Sequence, residues 1–405
     1  MNRATPTLRR ALQTTVAAAS GLAMIAISGV FGGSPSTGAR PAESFAAAAF
    51  TTKLAGVCPN PLIVQTNWLA EADHAGLYEL IGGGGMMKQY SYEGPLGSTG
   101  IKLQILAAGP GDANLSAEAT MYSGNPVAGV TPQLGIDSTE GIIQTSKKFP
   151  TVGVMNLQDH DPQIFLYSPS TFKNLNTISS LKAAVKSGAK FYVSSNTIPY
   201  VQYLISKGVP QSSFIGGYAG DLEKFVTGQG KIINQGYADA EPWILAHQIS
   251  AWGSKPLKYT LIYKYGLDDY PTTLIVAKGQ EQKLTPCLRK FVPLVQQGLI
   301  DYFKNPTTVD NVLAKINPKY SASYWQTPVA ESKFSAQAQL KEGIAENSSA
   351  DGGSLGAFNL KRVRQNIKIL LPIYKSQSPG TYNPSVTPAE IVTNKFIDPK
   401  LRLAK

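Results

Sequence analysis

Leu62-Ile-Val-Gln-Thr-Asn-Trp68, followed by Leu69-Ala-Glu-Ala-Asp-His74-Ala-Gly-Leu-Tyr-Glu-Leu80, decides how this chain is read. The first seven residues form an apolar run of strand length. The run ends in a loop, and the loop opens a helix. The same alternation continues on the C-terminal side. IKLQILAAG (101–109) predicts a strand, NLSAEATMYSG (114–124) a short helix and PVAGVTP (126–132) a third strand. FPTVGVMNL (149–157) and PQIFLYSP (162–169) are strand-length runs rich in Val, Ile, Phe and Tyr. SLKAAVKSG predicts a helix closed by Gly188, KFYVSS a strand, and TIPYVQYLISKG a helix closed by Gly208. LEKFVTGQG, KIINQGYADAEPWI and KYTLIYKYG carry the pattern to residue 266. Strands separated by helical segments imply parallel, doubly wound sheets.

Beyond Gln282 the character becomes helical. LTPCLRKFVPLVQQGLIDYFKNP places Leu288, Val292, Val295, Leu299 and Phe303 at helical spacing and stops at Pro306. TTVDNVLAKINP and AFNLKRVRQNIKILLPIYKS predict two more helices, whose apolar stripes face a core. At 405 residues the chain predicts about two domains. Hydrophobic residues are 43% and charged residues 16%, which excludes a disordered chain. The net charge is +11, but Arg3, Arg9, Arg10 and Arg40 against Glu43 account for +3 of it. The remaining Lys and Arg form no block, so a solvated basic surface is expected and nucleic acid is not a partner.

The first 49 residues read as a targeting segment and linker. Three arginines precede an uncharged run, Leu12 to Gly33, then a Ser/Pro/Gly stretch and the small residues Ala46 to Ala49. That order is the layout of a secretory signal, with cleavage expected near Ala48. An uncleaved N-terminal anchor is the alternative, since 22 uncharged residues can just span a bilayer. Either way the remainder is expected outside the cytoplasm, in the periplasm or at the cell surface. With export, Cys58 and Cys287, the only cysteines, are a candidate disulfide. His74, His160 and His247 have no ligand spacing, so neither metal nor cofactor is expected.

In open α/β sheets, ligands sit outside the carboxyl ends of strands, where loops enter helices. Four loops qualify: Trp68–His74, Tyr122–Asn125, Ser194–Thr197 and Tyr237–Trp243. They carry aromatic and hydrogen-bonding residues, no arginine and no catalytic geometry. Gly82 to Gly85 is not a phosphate loop, because no GxxxxGK[ST] follows.

NWLAEADHAGLY resembles the opening of substrate-binding proteins of ABC importers, in the superfamily of nitrate, sulfonate, taurine and thiamine-pyrimidine-precursor binders. His74, Gly76, Leu77 and Tyr78 point to its pyrimidine-precursor and riboflavin side. GYADAEPWI is similar to a family stretch through Gly236, Asp239, Glu241 and Pro242. KYGLDDYPTTLIVAKG looks like the strand that follows it. GAFNLKRVRQNIKILLPIY and PAEIVTNKFIDPKL look like the terminal helices, down to Thr393, Asn394, Lys395 and Phe396. The sequence departs from the pattern at Leu69-Ala70-Glu71, at GGGGMMKQYSYEGPLG and at SSADGG. The resemblance implies a two-lobed periplasmic-binding-protein type II fold, with two sheets joined by two crossing strands and a ligand cleft that closes by a hinge. Its lobes would be 50–165 with 264–405, and 166–263. It also implies a monomer, a membrane permease as partner and a small heteroaromatic ligand, with nitrate or a sulfonate as the alternative. No enzyme is expected: the relatives that synthesise the thiamine pyrimidine carry a cysteine-rich stretch absent here.

Within that frame Trp68 offers a ring face to the ligand or ends a strand in the core. His74 contacts ligand or a helix terminus. Glu241, followed by Pro242, accepts N–H groups of the ligand or forms an inter-lobe ion pair. Ser195 and Asn196, with Thr197, bind ligand or cap the next helix. Tyr218, Tyr237 and Trp243 are candidate stackers, and Ser123 belongs to the second loop. Gln158 and Asp159 would close the cleft from the hinge side.

Overall fold

A computed structural model describes residues 50–107, 116–123, 129–253, 255–320, 326–350 and 352–404. The targeting segment and Asn125 lie outside them. The quoted strand is β1 (Leu62–Gln65), buried throughout, and its loop leads into α1 (Ala75–Glu79). Then come β2 (Met86–Lys88), β3 (Ser91–Pro95), β4 (Lys102–Leu106), α2 (Ala117–Ser123), β5 (Leu134–Asp137), α3 (Thr139–Thr145) and β6 (Thr151–Asn156). The third strand is thus Leu134–Asp137, and the described part of PVAGVTP precedes it. The glycine-rich stretch builds a β2–β3 hairpin that extends the sheet beyond β4.

The chain crosses at 157–162 into a second sheet. Its elements are β7 (Gln163–Tyr167), α4 (Ile178–Lys186), β8 (Lys190–Tyr192), α5 (Pro199–Ser206), β9 (Phe214–Ile215), α6 (Glu223–Thr227), β10 (Ile232–Tyr237), α7 (Glu241–His247) and β11 (Lys258–Leu261). It returns through 262–272 to β12 (Thr273–Ala277), α8 (Glu281–Lys304), α9 (Thr307–Ile316), α10 (Val329–Lys341), α11 (Leu360–Gln377) and α12 (Pro388–Ile391).

The first sheet runs β2-β3-β4-β1-β5-β12-β6 and the second β11-β7-β10-β8-β9. Leaving the hairpin aside, the two are built alike. In each, three parallel strands (β4-β1-β5, β9-β8-β10) are followed by one antiparallel strand and then an edge strand. The antiparallel member is the strand that has just crossed from the other sheet: β12 in the first, β7 in the second. This is the two-lobed, doubly wound α/β architecture of the type II periplasmic-binding fold, with a helical C-terminal part.

Cys58 and Cys287 are bonded, with 4.8 Å between their Cα atoms, tying the segment before β1 to α8. Against α8 lies α1, and the approach is close. A Cβ on Gly76 would stand 2.6 Å from Leu299 Cγ, and one on Gly298 would stand 2.4 Å from the Gly76 carbonyl. Leu77 and Tyr78 are fully buried beside them. Most of the His-x-Gly-Leu-Tyr element therefore serves helix packing. Among the described residues, no helix is long and apolar enough to cross a membrane.

Candidate functional site

The two crossovers lie side by side. Leu157 N donates to Thr272 O at 2.7 Å, and Thr272 Oγ1 donates to Gln158 Oε1 at 2.6 Å. Gln158, at 1% exposure, is thereby part of the hinge itself. Asp159 faces the C-terminal helices: Arg362 of α11 donates to its carboxylate at 3.1 Å and to its carbonyl oxygen. The same guanidinium reaches Asp268 of the second crossover at 3.3 Å and lies 3.7 Å over the Tyr270 ring. His160 bonds Asp268 at 2.7 Å and stacks on Tyr263 at 4.3 Å. Arg362 thus ties both crossovers to α11. Its side chain is only 12% exposed, so its charge needs those carboxylates.

At the carboxyl ends of β1 and β10 the lobes meet directly. Gln339 of α10 donates from one amide nitrogen to Asp73 Oδ1 at 2.7 Å and to Asp239 Oδ2 at 3.0 Å. Asp73 follows β1 in the first lobe and Asp239 follows β10 in the second. Ser335, one helical turn before Gln339, also donates to Asp239, at 3.2 Å. Sequence reasoning passed over Asp73 and Asp239 although both stand in stretches quoted above. It missed α10 altogether, because that helix buries Glu331, Ser332, Ser335 and Gln339 and shows no apolar stripe.

These two carboxylates belong to a longer acidic lining. Glu71 precedes Asp73, Asp161 stands at the end of the first crossover, Asp269 lies in the second, Asp137 ends β5 and Glu140 lies in the first turn of α3. Burial raises the pKa of each above the ordinary carboxylate range; neighbouring carboxylates raise all but Asp239 further, whereas hydrogen bonds from Ser335 and Gln339 among others draw Asp239 back down. Asp161 is pushed up to about 7. The neighbours form a series: Asp239 acts on Glu71, Asp73 and Asp161; Asp161 acts on Glu140 and Asp269; Glu118 acts on Asp137. Among the described residues, no Lys or Arg lies within ion-pair distance of Glu71, Asp73, Asp137, Glu140, Asp161, Asp239 or Asp269.

The expected site residues divide by position. Glu241 opens α7, with its carboxylate turned into its own lobe, accepting from Tyr218 Oη and from the Tyr237 backbone N–H at 2.5 Å. Burial pushes it up to about 7 against these hydrogen bonds. No inter-lobe ion pair involves it among the described residues. Tyr218 is buried on Glu241, whereas Tyr237 keeps 36% of its surface. Trp243 is half-buried and stacks on His247 at 4.7 Å. Trp68 packs partly against the first lobe's core. His74 is fully buried; its Nε2 bonds Asn67 Oδ1 at 2.8 Å, and burial lowers it to about 3, so the ring is neutral.

Ser195 and Thr197 bond each other at 2.8 Å, and Gln202 donates to Asn196 O at 2.6 Å. They do not cap α5: its N-cap is Ile198, with no side-chain cap. Ser123 stands apart from the rest. Its neighbour Tyr122 donates to Pro150 O, just before β6, at 2.6 Å. That is the amino edge of the sheet, opposite the edge that carries Asp73 and Asp137. A cavity of about 520 Å³ also lies away from the cleft, between Gly83, Met86, Met87 and Tyr92 and the Val312 and Lys315 of α9.

Solved structures are similar to this chain at low identity. The aliphatic sulphonate binding protein SsuA from Escherichia coli is 11% identical, with 80% of this chain and 91% of that one covered at a TM-score of 0.49. The nitrate-binding protein NrtA from Synechocystis PCC 6803 is 12% identical, covering 84% and 88% at 0.46. An ABC transporter protein from Parabacteroides distasonis is 10% identical, covering 83% and 100% at 0.48. The chain is similar to periplasmic binding proteins of ABC importers. No family model and no curated protein matches the sequence.

Proposed function

We propose that this chain is an extracytoplasmic solute-binding protein of an ABC importer, holding a small heteroaromatic ligand between its lobes and delivering it to a membrane permease. One observation carries the reading. Loops at the carboxyl ends of both sheets meet, and Gln339 bridges Asp73 and Asp239 across the lobes, while among the described residues two crossovers carry the chain between the sheets. That geometry suits a cleft that opens and closes about a hinge. Trp68 and the exposed Tyr237 supply ring faces, and the carboxylates accept N–H groups from a heterocyclic edge. An anion such as nitrate or a sulfonate would find no Lys or Arg within ion-pair distance of these carboxyls among the described residues. The first 49 residues fit export.

Thermal-shift measurements with an aminopyrimidine, riboflavin, taurine and nitrate test the proposal. A bound solute at a hundredfold excess over Kd stabilises by ~2.7 kcal/mol. The aromatic compounds are expected to raise the melting temperature; a response to taurine or nitrate alone would refute the heteroaromatic reading.

A further inference from the structure

We propose that the cavity beside α9 is a second ligand site, separate from the cleft, which takes a single-chain amphiphile with an anionic head: a carboxylate, sulfate or phosphate on an unbranched alkyl body. The inference stands apart from the cargo of the cleft.

The cavity has two firm walls. One is the glycine turn and the β2–β3 hairpin. At Gly83 nothing lies within 4 Å of where a Cβ would stand, so backbone alone bounds the space there. A Cβ on Gly85 would meet Tyr92 Cζ at 2.5 Å. With that position bare, the Tyr92 ring lies against the turn. Its hydroxyl donates to Gly82 O at 2.7 Å and accepts from Gly85 N at 3.1 Å, which holds the wall in place. The other wall is α9, whose Asn311, Val312, Lys315 and Ile316 share one face at helical spacing. Between them lie about 520 Å³. Small-molecule sites commonly enclose ~300–1,000 Å³.

The lining asks for an apolar body. Val312, Ile316 and Tyr92 are buried and form the floor. Met87 packs partly against the first lobe's core, and Met86 stands at the rim with 76% of its surface exposed. Among the described residues, Met86 is the most exposed large apolar side chain. Beside an apolar floor it extends a contiguous apolar surface, and methionine adapts its shape to what it meets. The ten residues of α9 run ~15 Å along the cavity, the reach of a medium-length alkyl chain.

The charge asks for an anionic head. Lys315 and Lys319 both line the cavity and are exposed, and no Asp or Glu is among the described residues that line it. Among the described residues, no carboxylate lies within ion-pair distance of either lysine. Lys315 sits in the last turn of α9, at the negative end of the helix dipole, so the ammonium groups and not the backbone would receive the anion. An alkyl chain on the Met and Val312–Ile316 surface brings its head to this pair, and a cationic head would be repelled there.

The test uses the purified protein with decanoate as the probe, below its micelle concentration, and decanol, decyltrimethylammonium and inorganic phosphate as contrasts. Titration calorimetry gives the affinities, and methionine methyl NMR gives the place. Decanoate is expected to bind at least tenfold tighter than each contrast. It should shift the methyl signals of Met86 and Met87 and leave those of Met121 and Met155 unmoved. Lys315→Gln/Lys319→Gln, at two exposed positions, should weaken decanoate tenfold or more and leave decanol unchanged. Met86→Ser should weaken both. No binding of decanoate, binding without a shift at Met86 and Met87, or equal affinity for decyltrimethylammonium or phosphate overturns the inference. Sedimentation with phosphatidylglycerol vesicles in the absence of decanoate binding overturns it in favour of a membrane surface.

Discussion

Breaking the Cys58–Cys287 disulfide should destabilise the protein more than any single core substitution. The bond spans 229 residues of sequence, and the loop it closes contains the whole of the second sheet. On the chain-entropy relation, a closed loop of that length costs the unfolded state about 18 cal/mol/K, or about 5 kcal/mol at 25 °C. Both sulfurs are buried against the first lobe, at 9% and 1% exposure, so reduction leaves the native packing nearly unchanged and acts mainly on the unfolded chain. For a unit spanning residues 44–405, with an unfolding entropy of about 2.1 cal/mol/K per residue, 1 kcal/mol moves the midpoint by roughly 1–2 °C, so reduction should lower it by roughly 5–10 °C. The measurement is a thermal melt by circular dichroism, with and without reductant, alongside a Cys58→Ala/Cys287→Ala variant that should melt near the reduced protein. Reduced and oxidised melts that coincide within about 2 °C would refute the reasoning, because the entropic term does not depend on side-chain detail.

Other expectations follow from the hinge, the helix contact and the buried acids. Arg362→Met leaves Asp159 and Asp268 without their counter-charge and should cost about 3–5 kcal/mol by urea denaturation; an unchanged midpoint would show that the tie carries no weight. Gly298→Ala drives a methyl against the Gly76 carbonyl and should cost about 1–3 kcal/mol, with a visible loss in melting temperature. Asp161 and Glu241 keep their protons to about pH 7 in the folded protein but lose them near pH 4 when unfolded. Between those values the folded state binds more protons, so their contribution is full below about pH 4 and is lost as pH rises through about 7. Denaturation at several pH values should show a shallower decline for Asp161→Asn and Glu241→Gln than for the wild type; identical slopes would count against the assignment.

The alternation of strands and helices was legible because burial writes itself into hydrophobic runs. β1, β6, β7 and β12 are apolar almost throughout, and α8, α9 and α11 keep helical stripes that the core requires. The β2–β3 hairpin hid behind four glycines, which read as a flexible loop until Tyr92 is seen bonding Gly82 O at 2.7 Å and accepting from Gly85 N at 3.1 Å. β5 is only four residues long, and missing it concealed Asp137 and Glu140. The His-x-Gly-Leu-Tyr element stood out as a motif, but Gly76 is set by Leu299 across a helix contact. The acidic lining was unreadable for a different reason. Its members come from five separate segments, and one sequence gives no sign that those segments end at a common place.

The strand order also dictates when each half of the molecule can be completed. In the first sheet β12 lies between β5 and β6, although it follows them by more than a hundred residues. Until residue 277 has been made, β5 and β6 face a gap with unpaired backbone groups on both sides. The second sheet has no such dependence, since β7 through β11 are contiguous in the chain. As the chain lengthens during synthesis, the inserted half can therefore mature first while the enclosing half waits open, its exposed strand edges a liability for mispairing.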